Sequence, residues 1–582
     1  MRRLIRTAVL GGCVIGVPLS SAPAQESAVA ALATEYVDAF FAANPEEFTE
    51  NGITGSRHDG LRDNSLAALA GWQHREDVWL SRVRAIDRAA LAGTPDWATY
   101  GILRAELEGR VAQRPCRYEL WQLNTSSGWQ TRYPSLARSQ PVGTAAYRQQ
   151  ALARWRGLPR YIDTDRANLT AGLRRGYTAP RPVVEGVIRQ LDGLLGTSPD
   201  SSPLASPASR DSTPEFQDAL VRLIRDRINP AIRRYREFLA VEYLPNARTS
   251  VAVTRIPGGS DCYRASVLRY TTLDLPADSI FSRGQRELAA IEGHMSVLGR
   301  EAFGTPDVPA LLERLKREPA LTFCTRQEII DSSTAAVARA QAAAPRWFGL
   351  LPKAKVVIES YPEFRQRTGA VPSYNQAAED GSRPGIFWIN TWAPEKQSRA
   401  KLESTAFHEA VPGHHFQVTI AQERGASHRL TRYFSNSGYV EGWALYAETV
   451  AGEMDVFSSD VGRMGLLASQ AWRAARMVLD AGIHTGGWSR EQAVEFLASH
   501  TVIAPTIVQG EIDRYISVPG QASSYMLGNL EIRALRTEAE RRLGQRFDIR
   551  AFHDRVLEDG ALPLPLLRAK LERWLEQTDT KS

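Results

Sequence analysis

The sequence predicts a mainly α protein, large and helical, with a small β-sheet next to a metal-binding helix. Three observations carry this. Helical periodicity runs through most of the 582 residues. Strand-like runs are concentrated in one place, just ahead of a histidine cluster. That cluster, Thr405-Ala-Phe-His-Glu-Ala-Val-Pro-Gly-His-His-Phe416, holds three of the ten histidines and a glutamate beside the first. No internal repeat is evident.

Residues 1–24 read as a secretory signal: a basic start, Met1-Arg-Arg-Leu-Ile-Arg6, then an apolar run over 7–19 that is too short to span a bilayer. Ala22-Pro-Ala24 then offers a small-residue cleavage site before Gln25. Leu10-Gly-Gly-Cys13 faintly resembles a lipobox, but its apolar run is very short. The expected location is periplasmic or secreted.

Residues 25–350 read as an N-terminal helical region, with helices over 26–44, 65–92, 97–112, 147–168, 182–195, 215–242 and 278–301, many ending at Gly or Pro. The stretch 197–214 carries four prolines and many serines and reads as a loop. Residues 351–582, which hold the histidine cluster, read as a metal-binding catalytic region, continuous with the first. It opens with strands at Lys355-Val-Val-Ile-Glu359 and Gly385-Ile-Phe-Trp-Ile-Asn-Thr391 around the turn-rich Glu379-Asp-Gly-Ser-Arg-Pro384. From 430 to 574 the pattern is helical again.

Composition limits the function classes. The chain is 43% hydrophobic and 23% charged, enough for a sizeable core. Removing Arg2, Arg3 and Arg6 with the leader takes the formal charge from +6 to +3. The charges are mixed and form no basic run, so no nucleic-acid partner is implied. No later stretch is long and apolar enough for a membrane-spanning segment. Cys116, Cys262 and Cys324 remain beyond the leader. They leave room for one disulfide, for which Cys262–Cys324 is the favoured pair, although sequence does not fix pairing. They form no C-x-x-C, hence no metal or redox motif.

A zinc protease usually presents H-E-x-x-H on one helix, with two histidines one turn apart and the glutamate working on water. Here the fifth position is Pro412, and two inserted residues give H-E-x-x-P-G-H-H. On an unbroken helix His414 would lie well away in angle from His408, and His415 about 10 Å along the axis. Proline breaks the amide ladder and glycine admits unusual dihedrals, so the helix is expected to bulge and return a histidine to His408. The third ligand is expected in Tyr439-Val-Glu-Gly-Trp-Ala-Leu-Tyr-Ala-Glu448. Glu441 and Glu448 are seven apart and share a helix face. Their neighbours Ala444, Leu445, Ala447 and Val450 are apolar, so each carboxylate must bind metal or pair with a cation such as Arg473 or Arg476.

On these residues the chain resembles the bacterial family known as domain of unknown function 885 (DUF885). The matching pieces are 408–415, 441–448, Asp380-Gly-Ser-Arg-Pro-Gly385, Arg473-Ala-Ala-Arg476 with Asp480-Ala-Gly-Ile-His484, and Arg514-Tyr515 followed by Pro519-Gly-Gln521 and Tyr525. With Tyr270-Thr-Thr-Leu-Asp-Leu275 upstream, the resemblance covers nearly the whole mature chain. More distantly, the chain is similar to the gluzincin peptidases of the carboxypeptidase Taq, thimet oligopeptidase and angiotensin-converting enzyme groups. In the first two, the metal-binding glutamate is followed seven residues later by another, as with Glu441 and Glu448. The insertion leaves His414 or His415 as second ligand; His414 is favoured, because deleting Pro-Gly restores H-E-x-x-H.

The resemblance implies Zn²⁺ on His408, His414 and Glu441, with Glu448 behind the ligands and Glu409 as general base. Ser524-Tyr-Met-Leu-Gly-Asn-Leu530 is similar to the end of the carboxypeptidase Taq pattern. That similarity makes Tyr525 the oxyanion donor, with Tyr515 next in line. His415, Arg514 and Tyr515 would contact substrate; alternatively, Arg514 pairs with Glu511 or Asp513. The resemblance also implies a gluzincin-like fold, with a deep central groove between two helical halves and a sheet edge able to take an extended peptide. The expected activity is that of a secreted or periplasmic zinc peptidase acting on peptides. Its alternatives are a zinc-dependent amidase on a non-peptide or cell-wall substrate and a non-catalytic metal- or peptide-binding protein.

Overall fold

In the computed structural model the described residues are 27–579, except 54, 362, 364–365, 367–370, 378–382 and 425–427. The leader over 1–24, its Leu10-Gly-Gly-Cys13 and most of the turn-rich 379–384 lie outside them.

Local rules set the helices. Ser27 accepts the amide of Ala30 and starts helix Ala28–Ala43; Ser65 accepts that of Ala68 and starts Leu66–Arg84. The second helix stops well short of residue 92, the remainder forming a turn at Ala89–Leu91. The long helix expected over 215–242 is divided. Pro214–Leu223 and Asn229–Phe238 are α-helical, and each runs into a π-turn, Ile224–Ile228 and Leu239–Tyr243. Pro230 brings no amide, so the regular ladder cannot run through it. The stretch 197–214 is not wholly loop. Ser202 caps a turn at Pro203–Ala205, and Pro207 opens the short helix Ser206–Ser209, since proline suits a first helical turn.

The sheet has three strands in the order β1-β3-β2: β1 Val356–Ser360, β2 Ser373–Asn375 and β3 Gly385–Ile389. β1 is parallel to β3 and β2 antiparallel to it, with Val356 opposite Gly385 and Tyr374 opposite Phe387. The three-residue β2 leaves no readable alternation in sequence. β3 is central and reads as a nearly continuous apolar run, as a strand covered on both faces does.

Two apolar cores fill the molecule. One joins residues of 116–315 to residues of 400–527, and the other joins 29–107 to 323–457 and 532–575. Each therefore draws on both sides of residue 350. Three helices feed both cores. Arg399–Glu409 gives Ala400 to one and Ala406 and Phe407 to the other. Ser437–Glu453 gives Leu445 to one and Trp443 and Tyr446 to the other. Ser524–Leu543 gives Met526 to one and Ile532 to the other. Of the predicted site residues, His408, Glu409, Glu441, Glu448 and Tyr525 ride on these helices; His414 and His415 ride on His414–Glu423, and Arg514 and Tyr515 on Pro505–Ser517.

The disulfide corrects the expected pairing. Cys116 is bonded to Cys262, and Cys324 is a free, exposed thiol. The turn Arg114–Cys116 packs on helix Gly259–Thr271. That contact spans 146 positions of sequence, beyond the reach of spacing arguments.

Candidate metal centre

The helix carrying His408 ends at Glu409 rather than bulging through the insertion. A second helix, His414–Glu423, starts afresh after a cis Val411–Pro412 bond. Gly413 makes the reversal sterically feasible: a Cβ there would lie 1.9 Å from the carbonyl oxygen of His408. Trp443, on the Ser437–Glu453 helix, donates its indole N–H to the Pro412 carbonyl at 3.0 Å and anchors the turn. The break lets His414 swing back beside His408, with ring centroids 4.8 Å apart and planes at 89°.

His408, His414 and Glu441 each offer a ligand atom, all within 4.8 Å of one another, a group that could hold a metal ion. Glu441 Oε2 lies 3.6 Å from His408 Nε2 and 3.5 Å from His414 Nε2. Glu448, fully buried, accepts from His408 Nδ1 at 2.7 Å and from the Ser404 hydroxyl. The proton of His408 is thus held on Nδ1, and Nε2 faces the group.

The electrostatics fit these contacts. Burial opposes the imidazolium of His408, yet Glu441 and Glu448 push its pKa up to about 9. Burial also works against the Glu441 carboxylate, but hydrogen bonds to His408 and His414 hold it well below the usual range. Burial raises the pKa of Glu409, against the charges of His414 and His408.

His415 does not join the group. It is 1% exposed, and Nε2 donates to the Ala354 carbonyl at 3.1 Å. Nδ1 accepts from the Tyr374 and Thr419 hydroxyls at 3.0 and 3.2 Å. Burial pushes its pKa down to about 4. As a neutral ring with both nitrogens taken, it fastens the second helix to the segment before β1 and to β2.

Tyr525 reaches the group through close helix packing. A Cβ on Gly528 would lie 1.7 Å from the Gly438 carbonyl, and one on Gly442 would lie 2.5 Å from Gly528 C. These glycines bring the Ser524–Leu543 backbone against the Glu441 helix. Tyr525 is half-buried, feels the Glu441 charge, and has no hydrogen-bond partner among the described residues. Tyr515 differs: its hydroxyl donates to Glu511 at 2.7 Å and accepts from Arg476 and Trp472. Arg514 pairs with Glu511 at 3.0 Å, the second of its two expected roles, while Asp513 pairs with Arg490. Neither Arg514 nor Tyr515 is held free for a substrate.

A groove of about 1620 Å³ approaches the group. Its lining includes Thr125, Arg132 and Arg189 together with Lys401, Thr405 and Glu511. Ser373 on the β2 edge also lines it. His408 and Glu441 are not in its walls. Lys401, Thr405 and Glu409 follow one face of their helix at four-residue steps, so the group lies one turn beyond the groove's end. Sequence reasoning missed Ser404 and Lys401. The signal was present, since Ser404 and His408 are four apart and Ser404 is polar on an otherwise packed face.

Fold and site together define a helical protein with a partly buried two-histidine, one-glutamate group at the seam of two cores. The chain belongs to the family described as bacterial protein of unknown function (DUF885), whose family model matches residues 45–571. It is similar to the crystal structure of a candidate lipoprotein from Colwellia psychrerythraea, at 25% identity and a TM-score of 0.87, covering 94% of this chain and 99% of that one. It also shares the fold of a candidate lipoprotein of unknown function from Shewanella oneidensis, at 17% identity and a TM-score of 0.74, covering 93% and 99%. No curated protein matches the chain.

Proposed function

We propose that the protein is an extracytoplasmic zinc-dependent peptidase. One observation carries the reading: the convergence of His408, His414 and Glu441, with His408 steered by the buried Glu448. Two imidazoles and a carboxylate, one of them oriented from behind by a second carboxylate, are the donor set of catalytic zinc. When bound, zinc supplies a Lewis acid for the scissile carbonyl and brings the pKa of water towards 7. Glu409, on the same helix end, has its pKa raised by burial and so is a stronger proton acceptor in its ionised form; it would take the proton of the attacking water and return it to the leaving amine. Tyr525, with its hydroxyl uncommitted, donates to the developing oxyanion. The β2 edge beside the groove gives an extended peptide a strand to pair with. The similarity to gluzincin motifs supports the same assignment.

An extracytoplasmic location is supported by the Cys116–Cys262 disulfide and by the lipoprotein names of the two similar structures. No described helix is long and apolar enough to cross a membrane.

The test is the Glu409→Gln substitution. It keeps shape and removes the base. About one zinc per chain is expected by elemental analysis in both proteins. Cleavage of a peptide library, read by mass spectrometry, should fall by roughly 10² or more in the variant. Equal cleavage by the two proteins would sink this mechanism.

A further inference from the structure

Trp472 lies at the centre of an unusual group of cations. Its ring has Arg473 Cζ at 4.5 Å, Arg476 Cζ at 4.5 Å and Lys401 Nζ at 5.0 Å. Arg476 also stacks on Tyr525 at 4.3 Å, which links the cluster to the candidate centre. Arg476 and Arg514 share a single carboxylate, Glu511. Among the described residues, Lys401 and Arg473 have no carboxylate within ion-pair distance. Only Glu511 touches any of the four cations directly, while Glu409 acts on Lys401, and Glu409 and Glu448 act on Arg473, from beyond that distance.

These cations are well inside the protein. Arg473 is 9% and Arg476 4% exposed, and Arg473 Nε and Arg476 Nη1 are buried with no hydrogen-bond partner. Arg473 otherwise bonds only to Ser469, one turn back on its own helix. A buried cation without a counter-ion is costly, and aromatic faces offset part of that cost. Such an arrangement is an interaction left open, and an entering anion closes it. Lys401 feels the same field: burial and the charges of Arg473 and Arg476 bring its pKa down to about 8. Position decides which anion. Lys401 lines the groove and lies two turns from Glu409 on the same helix face, so the cluster separates the groove from the candidate centre.

We propose that Lys401, Arg473 and Arg476 form an anion subsite that takes a carboxylate of the peptide substrate, most simply its free C-terminus, and so directs cleavage near that end. This inference rests on the peptidase reading above. Arginine forks match a carboxylate's two oxygens, and a lysine adds a mobile point charge.

Binding tests it without turnover. The full mature chain carrying Glu409→Gln is titrated calorimetrically with N-acetyl-dialanine, with its C-terminal amide, and with an amidated dipeptide whose only carboxylate is an aspartyl side chain. The free acid is expected to bind at least tenfold more tightly than the amide. Lys401→Gln and Arg473→Gln should each remove most of that difference while zinc content stays unchanged. If Arg473→Gln does not fold, Lys401→Gln, on the groove wall, carries the test alone. Tighter binding of the aspartyl probe than of the terminal acid keeps the subsite and assigns it to an acidic side chain. Equal binding of acid and amide, or a preference that survives the substitutions, overturns it. If the variant prefers the acid but the zinc-loaded wild type hydrolyses no peptide, the subsite stands and the peptidase reading is overturned instead.

Discussion

Glu448 shows most directly how single residues set this site. It touches no groove, yet it fixes the tautomer and direction of His408. Groups behind a metal ligand typically contribute 10–100-fold to metal affinity. Glu448→Ala should therefore weaken zinc binding by about that factor, as read by competition with a chelator, while the protein still folds. Undiminished affinity would mean that His408 is oriented by the backbone alone. Removing Ser404's hydroxyl should act in the same direction and more weakly, because Glu448 keeps its bond to His408. The acidic partner deeper in the groove obeys a different rule. Burial opposes ionisation of Glu511, but Arg514 and Arg476 overcome it and hold its pKa below the usual range. Its folded pKa is below its unfolded value, so its stabilisation is present above about pH 4.3 and fades as pH falls. Urea midpoints of the wild type and Glu511→Gln should differ most at neutral pH and converge below pH 4. A gap that widens on acidification would contradict the assignment.

At the scale of elements, glycines decide where helices meet. Gly413 turns the chain between the two histidine helices, and Gly528 lets the Tyr525 helix lie against the Glu441 helix. An added methyl at either site meets backbone, which cannot rotate away. Gly413→Ala and Gly528→Ala are each expected to cost about 1–3 kcal/mol in denaturant unfolding, the scale of overpacking. Their functional signatures should differ. Gly413→Ala displaces His414 and should lose zinc. Gly528→Ala should keep zinc and lose activity, because it moves Tyr525. Equal zinc loss from both would mean that the two helices shift as one body.

At the scale of the whole molecule, the two cores meet where the site is. The groove approaches along that seam, and helices shared between the cores hold the candidate ligands His408 and Glu441 from both sides, while His414 comes from the separate helix His414–Glu423. Among the described residues, the disulfide Cys116–Cys262 closes a span of 146 positions and ties two segments of one core. Reducing it removes a constraint on the unfolded chain worth roughly 2–5 kcal/mol. Cys116→Ser with Cys262→Ser should lower the unfolding midpoint accordingly without changing zinc content. Cys324→Ser should be neutral, since that thiol is exposed and unpaired. An intact midpoint in the double variant would show that the tie is dispensable.

The sequence by itself determined the helical class, the strands around Ile358 and Phe387, and the site residues on short-range motifs. Periodicity and capping act over a few residues; His408 and Glu409 are adjacent in one motif, and Glu441 and Glu448 are two helical turns apart in another. It also carried the affiliation to the family, because those motifs sit in fixed order along nearly the whole chain. Only the tertiary structure decided which of His414 and His415 turns towards His408. That depends on a backbone reversal at Pro412 and Gly413, and on Tyr374, Thr419 and Ala354 claiming His415 from distant segments. The same holds for the pairing of Cys116 with Cys262, the capture of Arg514 by Glu511, and the gathering of Lys401, Arg473 and Arg476 around Trp472. Each is a contact whose energy depends on burial and on partners far away in sequence, and neither quantity is written in local spacing.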